Sequence, residues 1–280
     1  MSTLLALLLG IVQGLTEFLP VSSSGHLAVV PWLLDDQFLR ENPAFNKTFD
    51  VALHAGTLVA VLIYFRTELG AVIRGGLRSL RRRAIDDSEE RLAWVIVVGT
   101  IPAVIVGGLF EDFIDRELGD PWLIAVILIV FGGVLYVADR APQRYTVSDL
   151  KISHGLIIGM AQALALSPGT SRSGVTISAA RFLGLDREAA ARISFLLLVP
   201  VVAGATILKG YGAAVDGLPD GVIVPMIVGT LASALSGYAA IAGLLALVRR
   251  HSYDAFVVYR LALGGGILLL IALGVRAATF

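Results

Sequence analysis

Two polar segments, both rich in serine and glycine, interrupt otherwise apolar stretches of this chain. The first polar segment spans residues 13–26 and the second spans residues 162–176. Between them they carry a carboxylate, an imidazole and a guanidinium, at Glu17, His26 and Arg172. An ionisable group in hydrocarbon costs at least about 2.5–3.5 kcal/mol, so its presence there indicates a function. This set, with many hydroxyls and flexible glycines nearby, is suited to binding and cleaving a phosphate ester.

The acidic part of the first polar segment is the pair Gln13 and Glu17. The two residues are one helical turn apart, so their side chains share one helix face. A polar pair of this kind can also serve only to fix helix packing, as intramembrane glutamine often does. A carboxylate is a costly choice for packing alone, so Glu17 is expected to have a function, and Gln13 beside it is a candidate to bind substrate.

A serine-rich turn and a histidine complete the first polar segment. Pro20 is expected to end one helix, and a new helix then starts at a point where backbone N–H groups can face an anion. The hydroxyls that would bind substrate there are those of Ser22, Ser23 and Ser24. His26 lies two to four residues further on, and its ordinary pKa near 6.5 suits proton transfer. Either Ser23 or His26 could attack the substrate or relay a proton.

The other histidines are weaker candidates. His54 and His154 are interpreted as buried histidines with satisfied hydrogen bonds, and His251 lies in an arginine-flanked surface loop.

Arg172 dominates the second polar segment. Its planar donor fork is suited to clamping phosphate oxygens, and the glycines around it would let backbone approach a ligand. Alternatively it forms an ion pair with Glu17, and such a pair could open for a substrate. The remaining substrate-binding candidates in this segment are Gly169, Thr170, Ser171, Ser173 and Thr176.

The composition is that of an integral membrane protein. Of 280 residues, 56% are hydrophobic, which exceeds the share in a soluble domain. The formal net charge is zero, so no global field favours nucleic acid, and the absence of cysteine excludes disulfides and thiolate sites. The first residues lack a basic region and a cleavage signal, so they are expected to belong to the mature fold.

Six apolar segments are long enough to cross a bilayer, which takes roughly 17–25 residues. They are residues 49–65, 92–110, 121–138, 193–209, 221–248 and 256–275. Two shorter apolar stretches, 3–19 and 152–166, each break at a polar segment and continue as short pieces, 24–34 and 174–183. Each short pair predicts a re-entrant helical hairpin, because broken backbone at membrane depth needs protein or water around it.

The two halves of the chain resemble each other weakly. Gly10, Gly14, Glu17 and Leu19 align without a gap on Gly155, Gly159, Gln162 and Leu164. We therefore predict one all-α polytopic membrane domain over residues 1–280, with repeats at about 1–145 and 146–280. One hairpin and three spanning helices per repeat would give the second repeat the opposite orientation, an inverted-topology repeat.

Charge in the loops predicts the orientation. Arginines cluster between residues 66 and 91, around 140–151 and near 249–260, and the positive-inside rule places these loops in the cytoplasm. Arg260 is counted with the last of them. The intervening loops carry Glu111, Asp112, Asp115, Glu117 and Asp120, then Asp216 and Asp220. Both termini are then expected outside, with the site opening to the outer side. The acidic run at residues 86–90 is interpreted as a solvated helix start.

The motifs resemble a known family. The sequences QGLTEFLPVSSSGH at 13–26, FDVALHAGT at 49–57 and PGTSRSGVT at 168–176 are similar to those of undecaprenyl-diphosphate phosphatases of the bacitracin-resistance type. The resemblance covers essentially the whole chain. It implies that Glu17, Ser23, His26 and Arg172 are the functional residues and that a divalent cation assists. The family's acidic motif is Glu/Gln-x-x-x-Glu, with Gln13 at its first position here; His54 stands where many members carry glutamine, and no role is transferred to it.

The resemblance implies a membrane enzyme of the plasma membrane that hydrolyses a polyprenyl diphosphate to the monophosphate and phosphate, recycling the lipid carrier of cell-wall synthesis. Glu17 would hold Mg²⁺ or Ca²⁺, and a hard cation can be held by one carboxylate with substrate phosphates and water. A second copy of the chain could be a partner. The competing interpretation is a lipid transporter without chemistry, because inverted repeats and broken helices are also transporter features.

Overall fold

A computed structural model describes residues 1–216 and 218–279 of the chain. Side chains are described for these residues except at positions 37, 40, 43, 44, 111, 112, 114–116 and 213–216. The predicted acidic loop residues Glu111, Asp112, Asp115 and Asp216 therefore lie outside the residues whose side chains are described.

The regular secondary structure of the described residues is helical, and these residues form no β-strand. A short 3₁₀-helix at Val147–Asp149 is the only helix of its type among them. The α-helices are α1 Thr3–Phe18, α2 Ser23–Leu34, α3 Gln37–Glu41, α4 Pro43–Tyr64, α5 Arg66–Arg82, α6 Ser88–Glu117, α7 Pro121–Asp139, α8 Ile152–Leu164, α9 Arg172–Phe182, α10 Arg187–Asp216, α11 Ile223–Val248 and α12 Asp254–Ala272.

Six of these helices are long and apolar enough to cross a membrane, which confirms the six predicted spans with shifted ends. The spans are Phe45–Tyr64, Ser88–Phe110, Pro121–Asp139, Arg187–Gly212, Ile223–Val248 and Asp254–Ala272. The prediction of an all-α polytopic membrane protein is therefore correct.

Two shorter apolar helices, α1 and α8, end at the two polar segments. The chain leaves α1 at Leu19 in an extended conformation just before Pro20, and turns back into the short helix α2. After α8 it passes through a turn and enters the short helix α9. The turns thus place the starts of α2 and α9 beside the ends of α1 and α8.

Glycines let each short helix pack closely on a long helix from the other half of the sequence. A Cβ at Gly14 in α1 would overlap Ser236 and the carbonyl of Ser233 in α11. Likewise a Cβ at Gly159 in α8 would overlap the backbone of Gly99 in α6. Small residues of this kind let helix backbones approach in a membrane. The two halves of the chain are therefore interlocked through α1 with α11 and α8 with α6.

Aromatic rings fill the centre between these helix pairs. Phe18 at the end of α1 packs edge-on against Phe195 of α10, with ring centroids 5.2 Å apart. The ring of Phe65, just after α4, has its centroid 6.3 Å from that of Phe195. All three rings are buried and belong to one core cluster, which joins the ends of α1 and α4 to α10.

The arginine-rich stretch after the first span is a helix, α5, and the acidic run that follows it is partly buried. Glu90, at the start of α6, is fully buried and forms ion pairs with Arg78 and Arg82 of α5. The prediction of a helix start here is correct, but the prediction that the whole run is solvated is wrong for Glu90. Burying a carboxylate requires such partners, and here they tie α5 to α6.

Replacing Gly14 with alanine should destabilise the fold, because the added methyl group has no room between α1 and α11. Overpacking of this kind costs about 1–3 kcal/mol. The matched control is Gly243→Ala in α11, where a Cβ would meet nothing within 4 Å. Thermal unfolding in detergent should show a lower midpoint for Gly14→Ala and an unchanged or higher midpoint for Gly243→Ala. Equal midpoints would contradict the close packing of α1 on α11.

Candidate active site

A salt bridge joins the two polar segments. The guanidinium of Arg172 donates to Glu17 Oε1 through both Nη2, at 3.1 Å, and Nε, at 3.3 Å. The side chain of Glu17 is 4% exposed and that of Arg172 is 12% exposed. The predicted pairing of the two segments is confirmed, and the ion pair that the sequence left as an alternative to substrate binding is present.

Arg172 is held from a second side by α10. Its Nη1 donates to the backbone carbonyl of Ser194 at 2.7 Å. The Ser194 hydroxyl accepts from Thr176, one turn along α9, also at 2.7 Å. Arg172 is the first residue of α9, and a cation at a helix N-terminus is opposed by the helix dipole. Its position there therefore needs an anion, which Glu17 supplies.

Three other side chains contact the second carboxylate oxygen of Glu17, Oε2. Ser23 donates its hydroxyl to Glu17 Oε2 at 2.5 Å, and Gln13 donates its amide to the same oxygen at 3.2 Å. His54 Nε2 lies 3.4 Å from this oxygen. Glu17 therefore divides its contacts, with the Arg172 guanidinium on one oxygen and Ser23, Gln13 and His54 on the other.

His26 is fixed by contacts on both ring nitrogens. Its Nδ1 lies 2.7 Å from the Ser22 carbonyl and must donate there, because a carbonyl oxygen only accepts. In the neutral ring Nε2 is then an acceptor for the hydroxyl of Tyr259, also 2.7 Å away. The rings of His26 and Tyr259 are also stacked, with centroids 5.6 Å apart. His26 therefore contacts Tyr259 of α12 and the carbonyl of Ser22 in the turn before α2.

The turns before α2 and α9 have the same conformation. Ser22 and Ser171 adopt φ values of 76° and 73°, a region that non-glycine residues rarely visit. Each serine caps its helix by accepting from a glycine N–H three residues later, and each hydroxyl lies near the second following serine, Ser24 or Ser173. Such backbone strain costs about 1–3 kcal/mol and is concentrated at functional sites. The two turns present two helix N-termini to one region.

A buried arginine ties these turns together, and this corrects one prediction. Arg260 does not lie in a cytoplasmic loop; it is inside the span formed by α12 and is fully buried. It donates to the carbonyls of Pro20, Gly169 and Thr170, at 3.2, 2.9 and 3.2 Å, and to Leu128 in α7. The error arose because Arg260 was grouped with Arg249 and Arg250, although it falls within an apolar stretch, where an ionisable residue indicates function rather than a loop.

The other predicted binding residues line these turns. Gly169 has φ +91° and contributes its carbonyl to Arg260, as Thr170 does. Ser173 donates its hydroxyl to the carbonyl of Leu19, at 3.0 Å, which adds a second direct bond between the two segments. The structure therefore brings Gln13, Glu17, Ser23 and Arg172 into one cluster, with the remaining hydroxyls serving the turns that support it.

Four residues at the site were not identified as candidates from the sequence: His54, Ser194, Tyr259 and Arg260. His54 and Arg260 could have been found, because both are ionisable residues inside predicted spans. Ser194 and Tyr259 carry no local signal, because only the packing of α10 and α12 brings them to the polar segments.

The donor set of the cluster is compatible with a hard divalent cation. Among the described residues, no three histidine, cysteine, aspartate or glutamate side chains group as metal ligands. However, Gln13 Oε1 is buried with no hydrogen-bond partner, one turn from Glu17. An orphaned carbonyl oxygen beside a carboxylate is suited to a cation that takes its other oxygens from substrate phosphates and water.

A cavity also lies in another part of the structure. It measures about 840 Å³ and lies among α5, α6, α10 and α11, lined by residues that include Glu68, Arg192 and Arg249. No residue of the two polar segments lines it. Its charged walls are already paired, as Arg192 contacts Glu68 and Arg249 contacts Glu188. The cluster around Glu17 remains the candidate active site.

The sequence family is decided by comparison with known proteins. Residues 6–266 match the family model described as bacitracin resistance protein BacA. The chain belongs to the BacA family. The match includes both polar segments, so the site lies within the part of the chain that defines a BacA protein.

Curated relatives cover nearly all of this BacA-family chain. The undecaprenyl-diphosphatase of Geobacter sulfurreducens is 47% identical over 265 residues, covering 94% of this chain and 96% of that protein. Those of Elusimicrobium minutum and Thermomicrobium roseum are 45% and 44% identical; the matches cover 94% and 95% of this chain and 96% and 97% of those proteins. The resemblance inferred from the motifs is therefore confirmed.

Replacing Arg260 with methionine should destabilise the protein, because four backbone carbonyls lose a charged donor at once. Each buried acceptor left without a partner costs about 1–3 kcal/mol. Thermal unfolding in detergent is the measurement, and Arg250→Met, at an exposed arginine, is the control. An Arg260→Met variant as stable as this control would show that Arg260 does not hold the turns.

Proposed function

We propose that this chain is an undecaprenyl-diphosphatase, a multi-pass membrane enzyme that hydrolyses undecaprenyl diphosphate to the monophosphate and phosphate and so recycles the lipid carrier of cell-wall synthesis. The curated relatives carry the name of this activity over nearly the whole length of the chain. The observation that carries the proposal is the cluster of Ser23, Glu17 and Arg172, which combines a nucleophile, a proton acceptor and a phosphate-binding cation.

Arg172 binds the diphosphate. Its Nε and Nη2 form the flat edge that recognises two oxygens of a phosphate, and they now contact Glu17. A substrate phosphate would take over part of that edge, while Nη1 stays on the Ser194 carbonyl and keeps the guanidinium in place. The starts of α2 and α9 add backbone N–H groups and the positive ends of two helix dipoles, which also favour an anion.

Ser23 attacks the terminal phosphorus. Its hydroxyl already donates to Glu17 Oε2 at 2.5 Å, so the carboxylate can accept the proton as the oxygen bonds to phosphorus. The bridging P–O bond then breaks, and undecaprenyl monophosphate leaves. Water hydrolyses the resulting phosphoserine and releases phosphate. Both ring nitrogens of His26 form hydrogen bonds elsewhere, which supports Ser23 rather than His26 as the proposed nucleophile.

His26 moves a proton rather than attacking. The Ser22 carbonyl fixes its tautomer, and its Nε2 shares a hydrogen bond with the Tyr259 hydroxyl. Tyr259 is 45% exposed, so the hydroxyl can exchange protons with the leaving group or with water at the mouth of the site. This pair can protonate the departing phosphate oxygen and be restored by solvent.

A divalent cation, Mg²⁺ or Ca²⁺, is part of the proposal. Glu17 and the unpartnered Gln13 Oε1 would hold it, and it would neutralise negative charge on the diphosphate.

The proposed topology has two re-entrant hairpins, α1 with α2 and α8 with α9, in an inverted repeat within one membrane domain. Three observations support this topology: these helices are short, the turns at Ser22 and Ser171 have the same conformation, and the short helix of each half packs on a long helix of the other half. The arginine-rich loops are proposed to face the cytoplasm and the site to open to the outer side of the plasma membrane.

The cluster around Glu17 is built within one chain, so a homodimer is not required for the reaction.

The test of this function is phosphate release from undecaprenyl diphosphate by the purified protein in detergent, where transport cannot occur. Stoichiometric formation of the monophosphate and phosphate is expected. Binding of the lipid without any release would overturn the proposal and favour a transporter.

Arg172→Lys should lose most of the hydrolytic rate, because an ammonium group cannot replace the flat two-donor edge that faces Glu17. The loss should reach about 10²-fold, and Arg172→Ala should be inactive. The control is Arg250→Lys, at an exposed site. Phosphate release is the measurement, and near-normal turnover by Arg172→Lys would remove the bidentate role.

Ser23→Ala should reduce hydrolysis by about 10²–10⁴-fold, because the attacking oxygen is missing. The matched control is Ser178→Ala, in which the lost hydroxyl donates only to the backbone of its own helix. Acid quenching during turnover of ³²P-labelled substrate should trap labelled protein for the parent chain and none for Ser23→Ala. Full activity in Ser23→Ala would instead mean that Glu17 activates a water molecule.

A further inference from the structure

The helix α5 packs on the bundle through one of its faces. The buried residues of this face follow one another at intervals of three or four and form a single stripe: Leu69, Val72, Gly75 and Ser79. A Cβ at Gly75 would lie 3.0 Å from the backbone nitrogen of Glu90 in α6. The fold therefore uses this stripe for contact with α6, and the remaining faces of α5 are turned away from the bundle.

A second stripe of α5 is apolar and exposed. Ile73, Leu77 and Leu80 are 60%, 63% and 59% exposed, and their spacing puts all three on one side of the helix. The described part of the chain thus leaves most of this stripe uncovered. A contiguous apolar stripe is unfavourable in water, and the apolar medium next to this helix is the bilayer that the six spans cross.

A third stripe carries arginines. Arg74, Arg78 and Arg81 each directly follow a residue of the apolar stripe and so lie about 100° further round the helix. Arg78 is paired with Glu90, whereas Arg74 and Arg81 are exposed and form no ion pair with any described residue. An apolar stripe bordered by arginines is typical of a helix in the plane of a membrane surface, where guanidinium groups reach the phosphates of the headgroups.

Both ends of α5 lie at the ends of membrane spans. Its first residue, Arg66, comes two residues after Tyr64, where the span of α4 ends. Near its other end, Ser79 accepts a hydrogen bond from Trp94 Nε1, at 2.7 Å, and Trp94 lies in the first turns of the span of α6. Tyrosine and tryptophan are enriched at the interface between membrane and water. A helix of 17 residues is about 25 Å long, and α5 is held at that level at both ends, so it runs along the membrane surface.

We propose that α5 is an interfacial helix that binds anionic phospholipid, with its apolar stripe among the acyl chains and with Arg74 and Arg81 on lipid phosphates. Anionic headgroups complement these two arginines. A second copy of the chain does not, because a symmetric contact through the same face would bring the arginines of both copies together. This role is independent of the proposed phosphatase reaction, which uses no residue of α5.

The position of the apolar stripe is tested with single cysteines, because the chain has none of its own. Full-length Leu77→Cys is labelled with the fluorophore NBD and reconstituted into vesicles of phosphatidylcholine and phosphatidylglycerol. Its emission should be quenched by nitroxide-bearing lipid and protected from iodide present on both sides of the membrane. Thr67→Cys, exposed on the same helix and lining the charged cavity, is the matched control and should be quenched by iodide.

Two outcomes of the labelling would overturn the proposal. Iodide quenching at Leu77 as strong as at Thr67 would place the stripe in water. Protection from both quenchers would mean that a second copy covers it.

The lipid preference is tested by titrating phosphatidylglycerol into the delipidated full-length protein in detergent and counting bound lipid by native mass spectrometry. The double variant Arg74→Gln/Arg81→Gln should bind phosphatidylglycerol at least about fivefold more weakly than the parent, with phosphatidylcholine binding unchanged. The control is Arg144→Gln/Arg250→Gln, which removes two exposed arginines outside α5 and should bind like the parent.

Thermal unfolding is measured on the same samples, so that a misfolded variant is recognised. Parent-like affinity for phosphatidylglycerol in the folded α5 variant would overturn the assignment of Arg74 and Arg81. An equal loss in the control variant would also overturn it, because any two arginines would then serve. A failure of the parent chain to release phosphate from undecaprenyl diphosphate would contradict the proposed function and leave both of these tests unaffected.

Discussion

The salt bridge between Glu17 and Arg172 is the interaction on which the arrangement of the two polar segments depends. Neither charge could be placed alone in an apolar bundle, because breaking a buried pair leaves an uncompensated charge at a cost of about 3–5 kcal/mol. Paired, they allow two broken stretches of backbone to face each other and satisfy each other's polar groups. Arg260 completes this by joining three carbonyls of the two turns from a third helix.

The same pair explains how a stable resting state can be compatible with substrate binding. The edge of the Arg172 guanidinium that carries Nε contacts Glu17, whereas Nη1 donates to the backbone carbonyl of Ser194. This second contact does not depend on the carboxylate. An arriving phosphate can therefore replace Glu17 on the guanidinium without leaving Arg172 unpaired, and the carboxylate it displaces becomes available to accept a proton. The released carboxylate then has Ser23 within hydrogen-bonding distance, so binding the anion and freeing the base are one event.

The sequence predicted the six spans, the breaks between the short helices and the pairing of Glu17 with Arg172, because the cost of polar groups in an apolar stretch is visible in the residues themselves. It did not predict that Tyr259 would orient His26, or that Ser194 would hold Arg172, because these contacts arise only when α12 and α10 pack beside the turns. Arg260 was misplaced for a different reason: proximity to Arg249 and Arg250 made it look like part of a charged loop. Its apolar surroundings at residues 255–268 were the better guide.

The glycine contacts that seat α1 against α11 have a consequence for biogenesis. During synthesis α1 is made first and α11 almost last, so the surface against which Gly10 and Gly14 pack does not exist until most of the chain has left the ribosome. Until α9 is made, Glu17 also has no Arg172 to neutralise it, so the short helix α1 carries an unpaired carboxylate during the first half of synthesis. Membrane insertion of this protein therefore ends with a docking step that completes the first helix and the active site together.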